Sequence, residues 1–292
     1  MGDRWAEWLL ERRFGGDDGQ RAKFLDGLIP WRDRILKNAA VKPGETLLEV
    51  GVGDGLIAFG ALDLLGENGR VIFSDISQDL LDHSRALAGE MGVVDQCEFL
   101  LASADDLSGL DGESVDIVTT RSVLIYVEDK RRTFEEFFRV LKPGGRVSIF
   151  EPINRFKRPE PSNLFLGYDV APVQELAQKV REVFRRIQPM ETDPMLDFDE
   201  RDLFDLAEAA GFAEVHLNYE AKLVSNDAYF DVTDWDIFLR SAGNPKIPTL
   251  EEAINEALTQ EEAERFSAHL RPLVENARRR GTSAVAYLWA TK

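Results

Sequence analysis

From residue 46 onward, short apolar runs alternate with longer segments of helical period, the pattern left by repeated strand-helix units around a parallel sheet. Thr46 to Val50 (TLLEV) is mostly apolar and follows the turn Lys42-Pro43-Gly44-Glu45, as suits a strand at the sheet centre. Leu56 to Leu65 reads as a helix ending near Gly66. Arg70 to Ser74 reads as the second strand and ends on Asp75. Ser77 then stands where it can cap a helix running to about Met91, with Gly92 as terminator. Cys97 to Leu101 and Val115 to Thr120 are the third and fourth strands. Phe134, Phe137, Phe138 and Leu141 recur at i, i+3, i+4 and i+7, so the next helix lays an aromatic stripe on the sheet as core. Lys142-Pro143-Gly144-Gly145 stops that helix, and Arg146 to Glu151 makes a fifth strand. Glu200 to Ala210 is helical with Gly211 as its cap, followed by strands from Ala213 to Tyr219 and from Ser283 to Ala290.

Three stretches lie outside this alternation: the helical N-terminus (1–40) and the segments 152–198 and 221–281. Thr249/Glu252 and Thr259/Glu262 both fit the spacing S/T-x-x-E, in which each side chain satisfies the other residue's free amide, so the last stretch is expected to be a folded helical lid. The organisation expected is a single domain over 1–292. An N-terminal helical cap (1–40) precedes a cofactor-binding core (41–151), an insertion (152–198) and the lid (221–281), with the closing helix and strands at 199–220 and 282–292. The sheet is a Rossmann-like α/β arrangement.

Composition narrows the function. The chain has 292 residues, 44% hydrophobic and 30% charged, as a well-packed globule requires. No stretch approaches the roughly 18 consecutive apolar residues of a membrane span, and the charged start MGDRWAEWLLERR is unlike a signal peptide, so stable membrane insertion is not expected and the cytoplasm is the expected location. The net charge of -18 disfavours nucleic acid as a partner, because that binding neutralises phosphates. The short basic runs Arg155/Lys157/Arg158 and Arg278-Arg279-Arg280 read as solvated surface. One cysteine, Cys97, and three scattered histidines (His83, His216, His269) indicate neither a disulfide nor a metal site. Oligomeric state cannot be read.

The chemistry sits at Gly51-Val52-Gly53-Asp54-Gly55. A strand running directly into Gly-x-Gly-x-Gly lets a ligand approach the backbone and the helix N-terminus behind it closely. A dinucleotide fingerprint starting at Gly51 would need glycine or alanine at position 56 and finds Leu56, so a nicotinamide-dependent oxidoreductase is disfavoured. Asp75, ending the second strand, is placed to accept both ribose hydroxyls of an adenosyl group.

Here the sequence resembles class I S-adenosylmethionine-dependent methyltransferases, above all the ubiquinone/menaquinone-biosynthesis-like, methyltransferase type 11 branch. The resemblance covers about residues 41–151. It is carried by Leu48-Glu49-Val50-Gly51-Val52-Gly53-Asp54-Gly55, Asp75-Ile76-Ser77, Ser103-Ala104-Asp105-Asp106, RSVLIYVED (121–129) and RVLKPGGR (139–146). It implies a seven-stranded, mostly parallel sheet with the last strand antiparallel. It also implies that Glu49, Gly51, Val52, Gly53 and Gly55 surround the methionine part of the cofactor and that Asp75 holds the ribose. Ile76 would pack on the adenine, Asp105 would accept from its amino group with the Ala104 backbone alongside, and Arg121 and Ser122 would lie beside the methionine end. S-adenosylmethionine has no phosphates, so the missing dinucleotide glycine is not required, and its carboxylate suits backbone amides.

Methyl transfer from a sulfonium is an in-line displacement, so the protein must align the nucleophile, methyl carbon and sulfur and exclude water. A base is optional; candidates by position are Tyr126, Glu151, and Tyr168 or Asp169. The histidines and Cys97 read as structural. The acceptor pocket is expected over the carboxyl ends of the strands, built by the three extra segments with their aromatics Trp5, Trp8, Trp31, Phe156, Phe165, Tyr168, Tyr229, Phe230, Trp235 and Phe238. Trp31 and Tyr168 are the candidates to touch substrate. The expected activity is methyl transfer from S-adenosyl-L-methionine to a small, apolar or aromatic molecule, releasing S-adenosyl-L-homocysteine. The alternative is a non-catalytic binder of either compound, acting as a sensor or partner protein.

Overall fold

The computed structural model describes residues 3–225 and 232–292; Tyr229 and Phe230 lie outside the described residues. Its helices of six or more residues are α1 (Arg4–Leu10), α2 (Asp18–Asn38), α3 (Leu56–Leu65), α4 (Gln78–Glu90), α5 (Lys130–Val140), α6 (Gln174–Ile187), α7 (Glu200–Ala210), α8 (Trp235–Arg240), α9 (Leu250–Ala257) and α10 (Gln260–Glu275). The main strands are β1 (Thr46–Val50), β2 (Arg70–Asp75), β3 (Cys97–Leu101), β4 (Val115–Arg121), β5 (Leu141–Pro152), β6 (Ala213–Ser225) and β7 (Arg280–Thr291). The chain forms two compact units. One comprises 28–154, 194–220 and 284–292; the other comprises 1–27, 155–193 and 221–283.

The first unit holds the sheet. Its seven strands lie in the order β3-β2-β1-β4-β5-β7-β6. β1 to β5 are parallel, and β7 runs antiparallel beside β5, as expected. Because the chain moves outward from β1 through β2 to β3 and then returns to β4 on the other side of β1, the strand order reverses between β1 and β4. In open sheets of this kind ligands bind outside the carboxyl ends of the strands at such a reversal.

The alternation of side chains along each strand supplies two apolar layers. Leu48, Val50, Ile72, Val118 and Ile149 face one core together with Phe134 and Phe137 of α5. Leu47, Val71, Phe73 and Ile117 face the other, with Ile57 and Ala61 of α3 and Ile35 and Leu36 of α2. Phe134 and Phe137 are fully buried and Phe138 meets Phe212 edge-on at 5.2 Å, so the aromatic stripe is core. β5 starts five residues before the expected Arg146: Leu141 pairs with Val115 and Arg146 with Ile117, so Lys142 to Gly145 are accommodated as an irregularity within the strand. Gly144 makes this possible with φ +76°.

The second unit is mostly helical. Phe165, Tyr168, Leu176, Val180, Trp235, Ile254, Phe266 and Leu270 form its core. Both expected capping boxes are made, Thr249 with Glu252 at the start of α9 and Thr259 with Glu262 at the start of α10. A hairpin of two-residue strands, Leu164–Phe165 and Tyr168–Asp169, was not visible in the sequence pattern. Among the described residues no helix is long and apolar enough to cross a membrane.

Candidate functional site

The glycine loop leaves β1 with three left-handed residues, Gly51 (φ +68°), Gly53 (φ +55°) and Gly55 (φ +78°). At Gly51 a Cβ would stand 2.2 Å from Val123 Cγ2, and at Gly55 it would stand 2.4 Å from Phe59 Cε2. Side chains are therefore excluded by backbone conformation and by space. The loop is tied to the end of β2: the Gly51 and Val52 amides donate to the Ser74 carbonyl at 2.8 and 3.0 Å. Asp75, 7% exposed, completes the tie, its Oδ2 accepting from the Gly53 amide and its Oδ1 from the Ser77 amide, both at 3.0 Å. Ser77 caps α4 as expected.

The loop is also acidic. Glu49, 2% exposed, accepts from the Ala58 amide in the first turn of α3 at 2.6 Å. Burial pushes its carboxyl up to about 8 against the pull of that amide and of Arg121, with Asp54 and Asp75 adding to the rise. Oδ1 of Asp54 is buried without a hydrogen-bond partner among the described residues. Glu49, Asp54 and Asp75 around one glycine loop, with the Arg121 guanidinium alongside, offer acceptors and one cation to a ligand that carries both positive charges and a carboxylate. S-adenosylmethionine, with its sulfonium, ammonium and carboxylate, fits that set.

Ile76, beside Asp75, is 50% exposed and shares a groove of about 340 Å³ with Leu100, Leu101, Ala102, Ser103 and Asp106. An exposed isoleucine on a groove wall is an apolar face for a flat ring. Ala104 is buried, and Asp105 accepts from the Ser103 hydroxyl.

Past β4, Ser122 takes a left-handed conformation (φ +58°) while its amide donates to the Phe150 carbonyl at 2.9 Å. The chain then turns through a 3-10 segment, Leu124–Tyr126. Glu151, fully buried at the end of β5, accepts from the Val123, Leu124 and Ile125 amides at 2.9, 3.0 and 3.4 Å. Tyr126 is half-buried against the apolar core. Trp31 is half-buried with its ring 4.7 Å from that of Phe150.

In the helical unit, Tyr168 is 2% exposed and packs edge-on against Phe238 at 5.7 Å. His216 stacks on Trp289 at 5.0 Å, and the Cys97 thiol, pushed up to about 11 by burial, donates to the Val93 carbonyl. Among the described residues no group of three or more His, Cys, Asp or Glu is placed to hold a metal.

The structure thus brings Glu49, Gly51, Val52, Gly53, Gly55 and Asp75 together, with Arg121 close enough to Glu49 to act on its charge. One contact escapes sequence reasoning: Val123, which belongs to the segment 121–129, is the neighbour that forbids a side chain at Gly51. Asp54, within the loop from Glu49 to Gly55, is singled out by its burial.

The reversed-order, mostly parallel sheet with an acidic glycine loop after β1 is the arrangement expected of a class I S-adenosylmethionine-dependent methyltransferase. The chain belongs to the ubiE/COQ5 methyltransferase family, whose model matches residues 28–222. It is 29% identical over 203 residues to the ubiquinone/menaquinone biosynthesis C-methyltransferase UbiE of Klebsiella pneumoniae, covering 67% of this chain and 77% of that protein. It is 32% identical over 139 residues to UbiE of Vibrio vulnificus, covering 48% and 52%. Among solved structures it resembles the YcgJ protein of Bacillus subtilis (TM-score 0.54, 16% identity, 89% and 97% of the two chains). It also resembles the [4+2]-cyclase SpnF (TM-score 0.52, 18% identity, 91% and 81%). These likenesses show the fold; a cyclase among them means that the fold alone does not choose the reaction. Family membership does, and the protein is an enzyme that transfers a methyl group from S-adenosylmethionine and releases S-adenosylhomocysteine.

Proposed function

We propose that the acceptor is an apolar, electron-rich ring of the quinol type and that the methyl group goes to a ring carbon. The reading is supported by the family and by the C-methyltransferase names of the relatives. The observation that carries the cofactor side is Asp75, clasped between the Gly53 and Ser77 amides at the end of β2. The net charge of -18 fits a small, uncharged acceptor better than a polyanion.

In this reading Asp75 holds the ribose hydroxyls, Ile76 covers one face of the adenine, and Asp105 with the Ala104 backbone receives its amino edge. Glu49, the amides of Gly51 to Gly55, Arg121 and Ser122 hold the methionine end. When bound, the cofactor supplies a methyl carbon on a positively charged sulfur, a good leaving group. The protein's work is alignment and exclusion of water. A quinol hydroxyl that gives up its proton makes the adjacent ring carbon nucleophilic. The carbon-methyl bond forms as the sulfur-methyl bond breaks, and the ring carbon then loses its hydrogen as a proton.

A labelled-methyl assay with 1,4-naphthohydroquinone, a catechol and a primary amine tests this. The expected result is label on a ring carbon of the naphthohydroquinone. Label on oxygen or nitrogen alone would overturn the carbon assignment, and cofactor binding without turnover on any acceptor would favour a sensor.

A further inference from the structure

Glu151 is the one buried carboxylate near the glycine loop that the sequence offers as a general base. Its surroundings give it different work. A base must reach the acceptor, yet Glu151 is fully buried and three of its lone-pair sites are taken by successive backbone amides, those of Val123, Leu124 and Ile125. Three consecutive N–H groups converging on one carboxylate fix the conformation of the segment that carries them. That segment begins at Ser122, whose φ of +58° is a conformation a non-glycine residue adopts only when its surroundings impose it. Its next residue, Val123, sets its Cγ2 methyl where a Gly51 Cβ would stand. The path from Glu151 to the cofactor loop is therefore continuous: carboxylate, three amides, the Val123 side chain, the Gly51 backbone.

We propose that Glu151 is a positioning residue, which holds the 122–125 turn against Gly51 and so shapes the methionine end of the cofactor site. The proposal rests on the reading above that Gly51 to Gly55, Arg121 and Ser122 hold that end. The turn it fixes also carries Ser122 and follows Arg121 directly, so one carboxylate governs the backbone that carries both residues.

The test is Glu151→Gln, which keeps the shape but turns an amide NH2 toward backbone donors. Binding of S-adenosylhomocysteine by calorimetry should weaken by about tenfold, because the loosened 122–125 turn must be ordered again when the ligand binds. Turnover of 1,4-naphthohydroquinone at saturating cofactor should stay within about threefold of wild type, because the interaction lost is in the bound ground state as well as the transition state. A general base would give the opposite split, with kcat lower by about 10² to 10⁴ and binding unchanged, and that result overturns the proposal. Val123→Ala, which leaves Glu151 and its amides in place, should weaken binding in the same direction, and the double variant should lose less than the sum of the two. If Glu151→Gln does not fold, Val123→Ala alone decides, and wild-type affinity in it refutes the path. A wild-type protein that binds no S-adenosylhomocysteine would instead defeat the underlying cofactor assignment.

Discussion

The Gly53 amide donates to Oδ2 of Asp75 at 3.0 Å, so the acidic end of β2 and the glycine loop after β1 are built as one piece. Asp75→Ala removes that brace and the Ser77 contact and, on the proposed reading, the acceptor for the ribose hydroxyls. S-adenosylhomocysteine binding should weaken by about 1–3 kcal/mol, the usual cost of losing charge-assisted hydrogen bonds. Asp75→Asn, which keeps one acceptor oxygen, should lose less. Titration calorimetry on the three proteins measures the order, and equal affinities would contradict the role.

Gly51 is constrained twice, by φ +68° and by Val123 Cγ2 at 2.2 Å from the place of a Cβ. Gly51→Ala should cost about 1–3 kcal/mol of stability, measured by urea denaturation, through strain and overpacking. Adding Val123→Ala should restore the steric part, since the remaining Val123 Cβ lies at 3.4 Å, and leave the conformational part. A double variant no more stable than the single one would refute the steric account.

Glu49 and Glu151 set a pH dependence. Burial raises both, to about 8 and about 7 from 4.5, against the lowering effect of their amide donors, of Arg121 on Glu49 and of Lys130 on Glu151. A folded state with raised carboxyl values binds more protons than the unfolded chain between those limits, so stability falls as pH rises there. The contribution is complete below pH 4.5 and is lost as pH passes through 7 and 8. Thermal unfolding of the cofactor-free protein should therefore shift to lower temperature from pH 5.5 to pH 8.5, by about several degrees for a stability change of 1–2 kcal/mol. A rise over that range would contradict the assignment.

Glu136 is expected to be a stability residue. It is 1% exposed and accepts from the Leu107 amide at 2.9 Å and from the Arg139 guanidinium at 2.8 and 2.9 Å. Glu136→Ala leaves a buried amide unsatisfied and should destabilise by about 1–3 kcal/mol in urea denaturation with cofactor affinity unchanged. Loss of affinity without loss of stability would show that the residue belongs to the site.

Glu136 also marks where sequence reading stops. No local signal marks Glu136 as buried, since its contact with the Leu107 amide joins residues 29 positions apart. The strands β1 and β2 were legible because they are short, mostly apolar runs that end at Gly51 and on Asp75. The start of β5 was not, because Lys142-Pro143-Gly144-Gly145 has the composition of a turn while its flanks, Leu141 and Arg146, both pair with β4. In the site, the glycines and Asp75 follow from backbone requirements local to the chain. Glu151, by contrast, stands at the right place for a base, and its occupation by Val123, Leu124 and Ile125 depends on residues about 27 positions away. The burial of Tyr168 against Phe238 is likewise a long-range fact with no local signal.

The most direct test of the central claim is a thermal-shift titration of the protein with S-adenosylmethionine, S-adenosylhomocysteine and NAD. At a hundred times the dissociation constant a ligand bound only by the folded state adds about 2.7 kcal/mol. The two adenosyl amino acids should raise the midpoint in wild type and do so less in Asp75→Ala, with NAD inert. Stabilisation by NAD alone would contradict the assignment of Gly51 to Gly55 as an S-adenosylmethionine site.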